Sequence, residues 1–283
     1  MISANRAFDL EPLIDIKTLK SKFPQYYKYL YGDELQPNKI VLCSNLILKK
    51  DDTLEKILLV YKDRFIIIKS INGNITKYII EYKDIDYIVS EGMPNPSGIA
   101  VEYRTDARER IFYDAEGMEI VNTLLLELRK NINMAVNIIQ REGIPELAFS
   151  DMEAKKYAGA VIANNALLDK ASAVCSIKQK RIYTRVGYLF RRTLTQTHFT
   201  IVCKREIVIF REKGKARTGD SVSGDLMYIP LGAIKNVSIE ATGKGMILKY
   251  LFNSNRKLEL YYENERTDQL LKLMSYLNGQ VSK

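Results

Sequence analysis

Short apolar runs alternate with polar turns through the first half of the chain, a pattern typical of β-strands. Seven such runs are rich in isoleucine, valine and tyrosine, which suit a pleated, half-buried surface. They are Ile40–Leu48, Lys56–Tyr61, Phe65–Lys69, Lys77–Tyr82, Ile85–Val89, Ile99–Arg104 and Arg110–Tyr113. Asn72-Gly73-Asn74 predicts a hairpin between two of them, because asparagine and glycine tolerate positive φ. The succession predicts an antiparallel sandwich or barrel.

Helical spacing of apolar residues begins before the strands. Ile16, Leu19 and Phe23 share one face of a predicted helix that Pro24 ends or kinks. The following tyrosine cluster, 26–31, has two interpretations. It is either a stacking platform for bases or an amphipathic lid packed on the strands, and we favour the lid because tyrosine buries a large area while its hydroxyl stays wet.

A long apolar stripe follows the seven strands and predicts a helix over Glu116–Gln140, about 37 Å long. Ser150 and Glu153 form a plausible capping box for a further helix that is rich in small residues. We therefore interpret 144–170 as a helical connector rather than a flexible linker.

The last part of the chain predicts strands that turn into one another and end on a helix. Met227–Glu240 is followed by a turn at Gly243–Gly245, by strands at Met246–Phe252 and Leu258–Tyr262, and by a helix over Glu265–Leu277. This order matches the end of the first half.

Segments of the two halves align in the same order. Leu59–Ile68 matches Ile201–Phe210, Glu81–Ile88 matches Pro230–Val237, Ser97–Tyr103 matches Lys244–Tyr250, and Leu124 and Leu128 match Leu270 and Met274. Several matches in one order indicate an internal duplication.

The second copy resembles the pleckstrin-homology (PH)-like superfold, in particular bacterial PH and GRAM-type domains. The resemblance lies in Ile229-Pro230-Leu231 with Ile234 and Val237, the glycine-turn hairpin and the terminal helix, and it covers about 38–133 and 171–278. The first copy departs from it, since Glu81-Tyr82-Lys83 stands at the Ile-Pro-Leu position. The resemblance implies two near-orthogonal sheets capped by a helix, and binding rather than catalysis.

The predicted fold class is therefore α+β, mainly β, with two tandem PH-like barrels. The domain boundaries that we predict are a lid at 1–36, a first PH-like domain at 37–143, the connector at 144–170 and a second PH-like domain at 171–283.

The sequence also indicates the cellular compartment and the state of the cysteines. Neither a secretory signal nor a run of about 18 apolar residues is visible, which favours the cytoplasm. Cys43, Cys175 and Cys203 lie far apart in strand-like surroundings and are interpreted as buried free thiols.

The net charge of +9 is concentrated in one window. Between Ala171 and Arg217, twelve basic residues minus two acidic residues give +10. Such a surplus points to an anionic partner. The candidate anion-binding residues are Lys178, Lys180, Arg181, Arg185, Arg191, Arg192, Lys204 and Arg205. The first six of them resemble the scattered basic residues in the first two strands of PH domains that bind phosphoinositides.

Within that window, the segment 185–192 has two interpretations. If Gly187 turns the chain, then Tyr188, Leu189 and Phe190 enter a lipid headgroup boundary while the flanking arginines meet anionic lipid. The simpler alternative is a buried strand in which Val186, Tyr188 and Phe190 alternate inward. Nucleic acid could meet the charges through phosphates, but no recognition helix or stacking motif favours sequence-specific binding.

The sequence carries no catalytic signature that we recognise. His198 has no partner at metal or triad spacing, and Gly243 and Gly245 do not form a phosphate-binding loop. We therefore expect no cofactor, no metal and no enzymatic activity. The favoured hypothesis is a cytoplasmic binding module that engages an anionic membrane surface, peripherally at its inner face, or an acidic protein. The rival is a structural protein that self-assembles through exposed sheet edges and the connector, as a homo-oligomer.

Overall fold

A computed structural model describes residues 10–13, 16–30, 37–49, 52–71, 73–91, 97–104, 107–113, 118–135, 173–186, 190–215 and 222–281. Two compact units make up the chain: unit 1 is Met1–Lys83, Asn95–Ile99 and Arg110–Ala135, and unit 2 is Asp84–Pro94, Ala100–Glu109 and Val136–Lys283. This division differs from the predicted sequential domains, because the strand Ile85–Glu91 belongs with the second half of the chain.

The first half begins with a short strand and two short helices and continues with a run of seven strands. The elements are β1 (Leu10–Leu13), α1 (Ile16–Lys22), α2 (Pro24–Tyr27), β2 (Lys39–Lys49), β3 (Asp52–Val60), β4 (Arg64–Ile71), β5 (Asn74–Glu81), β6 (Ile85–Glu91), β7 (Ser97–Tyr103), β8 (Ala107–Tyr113) and α3 (Met118–Ala135). All seven predicted strands are confirmed, and α1 ends before Pro24 as expected. Strand β1 was not predicted.

The second half repeats this series with an extra hairpin. Its elements are β9 (Ala173–Gln179), β10 (Ile182–Val186), β11 (Phe190–Thr195), β12 (His198–Cys203), β13 (Glu206–Lys215), β14 (Val222–Pro230), β15 (Ile234–Thr242), β16 (Gly245–Phe252), β17 (Lys257–Tyr262) and α4 (Thr267–Val281). The predicted terminal strands and helix are confirmed.

Both halves share one order of elements. Four antiparallel strands lead to a 3₁₀ turn, then to three further strands and a helix; the turns are Tyr82–Asp84 and Leu231–Ala233. These two turns lie in the segments that align in the sequence. The hairpin of β10 and β11 is an addition between the first and second strands of the later series.

The sheets are antiparallel where their pairing is described, and within the described residues none of them closes into a barrel. One has five strands in the order β1-β2-β3-β4-β5, one has seven in the order β8-β7-β6-β14-β13-β12-β9, one has three in the order β15-β16-β17, and β10 and β11 form a fourth. In the seven-stranded sheet, Tyr228 of β14 pairs with Ile88 of β6. The protein is thus mainly β, with few helices.

In unit 1, the helical segment at the start covers one face of the five-stranded sheet. Leu19, Tyr26 and Leu30 are buried against Ile57 and Ile66 in one apolar cluster. This is the packing expected of an amphipathic lid, and Tyr26, only 1% exposed, is not available to stack on bases.

In unit 2, the C-terminal helix packs on strands of both neighbouring sheets. Leu270, Leu273 and Leu277 at its buried face join one core with Leu248 of β16 and Ile207 of β13. Asn278 at the end of that face bonds both the N–H and the C=O of Val237.

Several predictions lie outside the described residues. They are the connector at 144–170, the capping box at Ser150 and Glu153, and the continuation of the long helix beyond Ala135.

Candidate functional site

The basic residues of the second half centre on the β10–β11 hairpin, which pairs with no other sheet of the described residues. Its register places Arg185 opposite Arg191, Thr184 opposite Arg192 and Val186 opposite Phe190. The chain therefore reverses between Val186 and Phe190. The prediction of one buried strand through 185–191 is wrong, because its residues belong to two paired strands.

Exposure separates the predicted anion-binding residues. Lys180 and Arg192 are exposed and Arg181 is half-buried. No carboxylate of the described residues forms an ion pair with Lys180 or Arg192. Lys178 is a correction: only 7% of it is exposed, so it lies in the interior rather than on a binding surface.

Lys204 and Arg205 are exposed but lie elsewhere. Gln179, at the hairpin end of β9, pairs with His198, whereas Cys203 pairs with Ala173 at the opposite end. Strand β12 therefore places Lys204 and Arg205 about 20 Å from the base of the hairpin. The eight predicted residues do not form one patch.

Lys244 joins the hairpin from a distant part of the sequence. It lies in the turn between β15 and β16, is exposed, and its Nζ donates a hydrogen bond to Thr184 Oγ1 on β10. No local signal in the sequence relates residues sixty positions apart, so this residue was not predicted. We define the basic hairpin site as Lys180, Arg181, Arg185, Arg191, Arg192 and Lys244.

The predicted membrane-contact residues are only partly described. Tyr188 and Leu189 lie outside the described residues, and for Phe190 only the strand position at the hairpin end is described. The side chains of Arg185 and Arg191 are likewise outside the description, so their placement rests on the strand register.

His198 has a structural environment. Only 1% of its surface is exposed. The centroid of its ring lies 4.9 Å from that of Tyr262 in an edge-on arrangement, and Nδ1 lies 3.1 Å from the carbonyl oxygen of Gln196. Because a carbonyl only accepts, Nδ1 carries the proton, and buried Nε2 has no hydrogen-bond partner among the described residues. Burial lowers the pKa of His198 to about 4. A neutral, enclosed imidazole of this kind packs rather than exchanges protons with a substrate.

The described cysteines, the other candidate reactive groups, are also buried. Cys175 and Cys203 are buried, as predicted, and neither forms a disulfide with another described residue. Burial raises the pKa of the Cys175 thiol to about 12. The side chain of Cys43 lies outside the described residues. Among the residues described, no three His, Cys, Asp or Glu side chains converge as a metal site would require.

An ionic cluster around Arg256 was not anticipated. Arg256 follows the β16–β17 turn and lies 2.6 Å from Glu102 Oε2 through Nη1 and 3.2 Å from Asp86 Oδ2 through Nε. Its Nη2 donates to the carbonyl oxygens of Arg104 and Ala107 at 3.0 and 3.1 Å. Burial raises the pKa of Asp86, although a hydrogen bond from Ser254 and the positive charge of Arg256 favour its charged form. The guanidinium thus ties the turn to β6, β7 and β8.

A cleft of about 250 Å³ adjoins this cluster, and its walls include Tyr87, Arg108, Arg211 and Met227. Arg108 already pairs with Glu91 at 2.6 Å and with Glu102 Oε1 at 3.0 Å. The volume is below the range of typical ligand pockets. Because the cleft is small and Arg108 is already paired with two carboxylates of its wall, we assign no ligand to it.

Comparison with known proteins does not identify a family. No protein-family model matches the chain, and no curated protein matches it. None of the helices in the described residues combines the length and the apolar character that a membrane span needs.

Proposed function

We propose that this protein is a non-enzymatic binding protein that docks on an anionic membrane surface through the basic hairpin site. The observation that carries the proposal is the strand register. Arg185 lies opposite Arg191, and Arg192 follows Arg191 along the same strand. Like charges at opposite positions of a hairpin are destabilising. An anion bound between the strands relieves that repulsion.

Two further features support the same site. Lys180 and Arg192 are exposed with no ion-pair partner in the described part of the chain, and Lys244 adds a cation from another sheet. Each basic group near an anionic membrane contributes about 1 kcal/mol of attraction. Several together suffice for reversible attachment without any inserted helix.

The shared element order supports a tandem PH-like architecture as part of the proposal. Four strands, a 3₁₀ turn, three strands and a helix occur in both halves, as the resemblance implies. The hairpin then extends the connection between the first two strands of the second module. In this proposal the protein acts from the cytoplasm, and an acidic protein surface is the competing ligand.

Co-sedimentation of the full chain with vesicles tests the proposal. We expect pelleting with vesicles that contain phosphatidylserine, little pelleting with phosphatidylcholine alone, and release as salt rises. Equal pelleting on both kinds of vesicle, or none on either, contradicts the proposal. If binding is absent on vesicles but an acidic protein is captured, the site serves a protein partner and the membrane proposal fails.

A further inference from the structure

Strand β5 is the outer strand of the five-stranded sheet in unit 1. In the described part of the chain, no strand pairs with its outer side, so its peptide groups there lack a strand partner. Its pairing with β4 runs without a register shift from Asn74 to Glu81. The strand contains neither proline nor glycine. It therefore lacks proline and a β-bulge, two of the devices that block pairing at a sheet edge.

The opposite edge of the same sheet is protected. Strand β1 is four residues long and includes Pro12, which cannot donate a backbone hydrogen bond. Within this sheet, a long edge strand without proline or a register shift is therefore particular to β5.

Two exposed apolar side chains lie on β5 itself. Tyr78 and Ile79 are 39% and 46% exposed. Ile79 pairs with Ile66, a member of the unit 1 core, so its side chain continues that apolar face to the margin of the sheet. Covering the margin removes apolar surface from water.

We propose that β5 is a self-association surface, which pairs antiparallel with β5 of a second copy of this chain. In such a two-fold pair, opposite residues share a face. The register centred on Ile79 sets this residue opposite its own copy. The same register sets Lys77 opposite Glu81 of the second copy, twice in every dimer.

When Ile79 lies opposite its own copy, each lysine of the two β5 strands therefore lies opposite a glutamate of the other strand. Within one chain, Lys77 Nζ donates a hydrogen bond to the carbonyl oxygen of Tyr29 at 2.9 Å, and Glu81 Oε2 lies 2.6 Å from Lys83 Nζ. A carboxylate accepts several hydrogen bonds, so Glu81 can bind Lys83 and a second lysine together. The surface belongs to unit 1, whereas the basic hairpin site belongs to unit 2, so the two proposals stand or fall separately.

Sedimentation velocity of the full chain, from low to high micromolar concentration, tests this inference. We expect a concentration-dependent dimer. Lys77→Glu and Glu81→Lys each create two like-charge pairs and should weaken the dimer by about tenfold. Mixed in equal amounts, the two variants restore both opposite-charge pairs, so a heterodimer should form with about wild-type affinity.

Ile79→Lys should weaken the dimer by at least about tenfold, and Leu271→Lys is its matched control, because Leu271 is 45% exposed on α4. Lys77→Glu loses the hydrogen bond to Tyr29, so thermal unfolding is used to check that this variant folds. If it does not fold, Glu81→Lys alone tests the charge pairing. A wild-type chain that stays monomeric throughout overturns the inference. So does a dimer that persists unchanged in Ile79→Lys and Glu81→Lys.

Discussion

Arg185 and Arg191 occupy directly opposite positions in the β10–β11 hairpin. Like charges at directly opposite positions of two paired strands are destabilising. A hairpin that pairs arginines is less stable on its own than one that pairs unlike charges. We interpret this as a cost that an anionic ligand offsets.

Arg191→Glu should therefore have opposite effects on stability and on binding. It turns the like-charge pair into an opposite-charge pair, which should stabilise the hairpin by about 0.5–1 kcal/mol. Hydrogen exchange of the amides in 182–186 should slow, while vesicle binding weakens. Faster exchange in the variant would argue against the repulsion that we infer.

Arg256→Ala should be strongly destabilising. The substitution leaves Asp86 and Glu102, whose side chains are 3% and 5% exposed, without their principal cation. We expect a loss of about 3–5 kcal/mol in the free energy of unfolding, measured by urea denaturation.

Arg108→Ala is the matched control for Arg256. Arg108 also pairs with Glu102, but its side chain is 43% exposed, so the expected loss is about 1 kcal/mol or less. Equal losses for the two variants would show that burial does not govern the cluster.

Stability should depend on pH through His198. Burial lowers the pKa of this histidine from 6.5 to about 4, so between these values the unfolded chain binds a proton that the folded chain does not. The neutral histidine therefore contributes about 3 kcal/mol to the free energy of unfolding above about pH 6.5, and this contribution is lost as the pH falls toward 4. In His198→Gln, this part of the pH dependence should disappear from urea denaturation curves. An unchanged slope would mean that another group is responsible.

Gly245 should not tolerate a side chain. Its φ is +139°, and a Cβ would clash with the carbonyl oxygen of Tyr262. Gly245→Ala should lower the free energy of unfolding by about 3 kcal/mol. Gly243, two residues earlier, has open space around its Cβ position, so Gly243→Ala should change stability by well under 1 kcal/mol. Similar thermal midpoints for both variants would contradict this explanation.

Local pattern was sufficient to predict most elements. The β-branched runs identified all seven strands of the first half, and Asn72-Gly73-Asn74 identified a hairpin in which Gly73 has a φ of +80°. Apolar spacing identified α3 and α4. These signals succeed because they depend on neighbours in sequence.

Partners that are distant in sequence could not be predicted. Nothing near Ile88 indicates that β6 pairs with β14, and nothing near Arg256 indicates Glu102, 154 residues away. Lys204 and Arg205 were grouped with the hairpin because they are near it in sequence, yet a strand carries them to the other end of the sheet. Strand pairing brings such residues together or apart, and it is set by tertiary packing rather than local composition.

The most direct measurement compares two double charge reversals of equal net charge in vesicle co-sedimentation. Arg191→Glu with Arg192→Glu changes the basic hairpin site, whereas Lys204→Glu with Arg205→Glu changes the opposite end of β12. We predict that the first pair abolishes binding to phosphatidylserine vesicles and that the second leaves most of it intact. Equal loss in both, or binding that survives the first pair, would contradict the account.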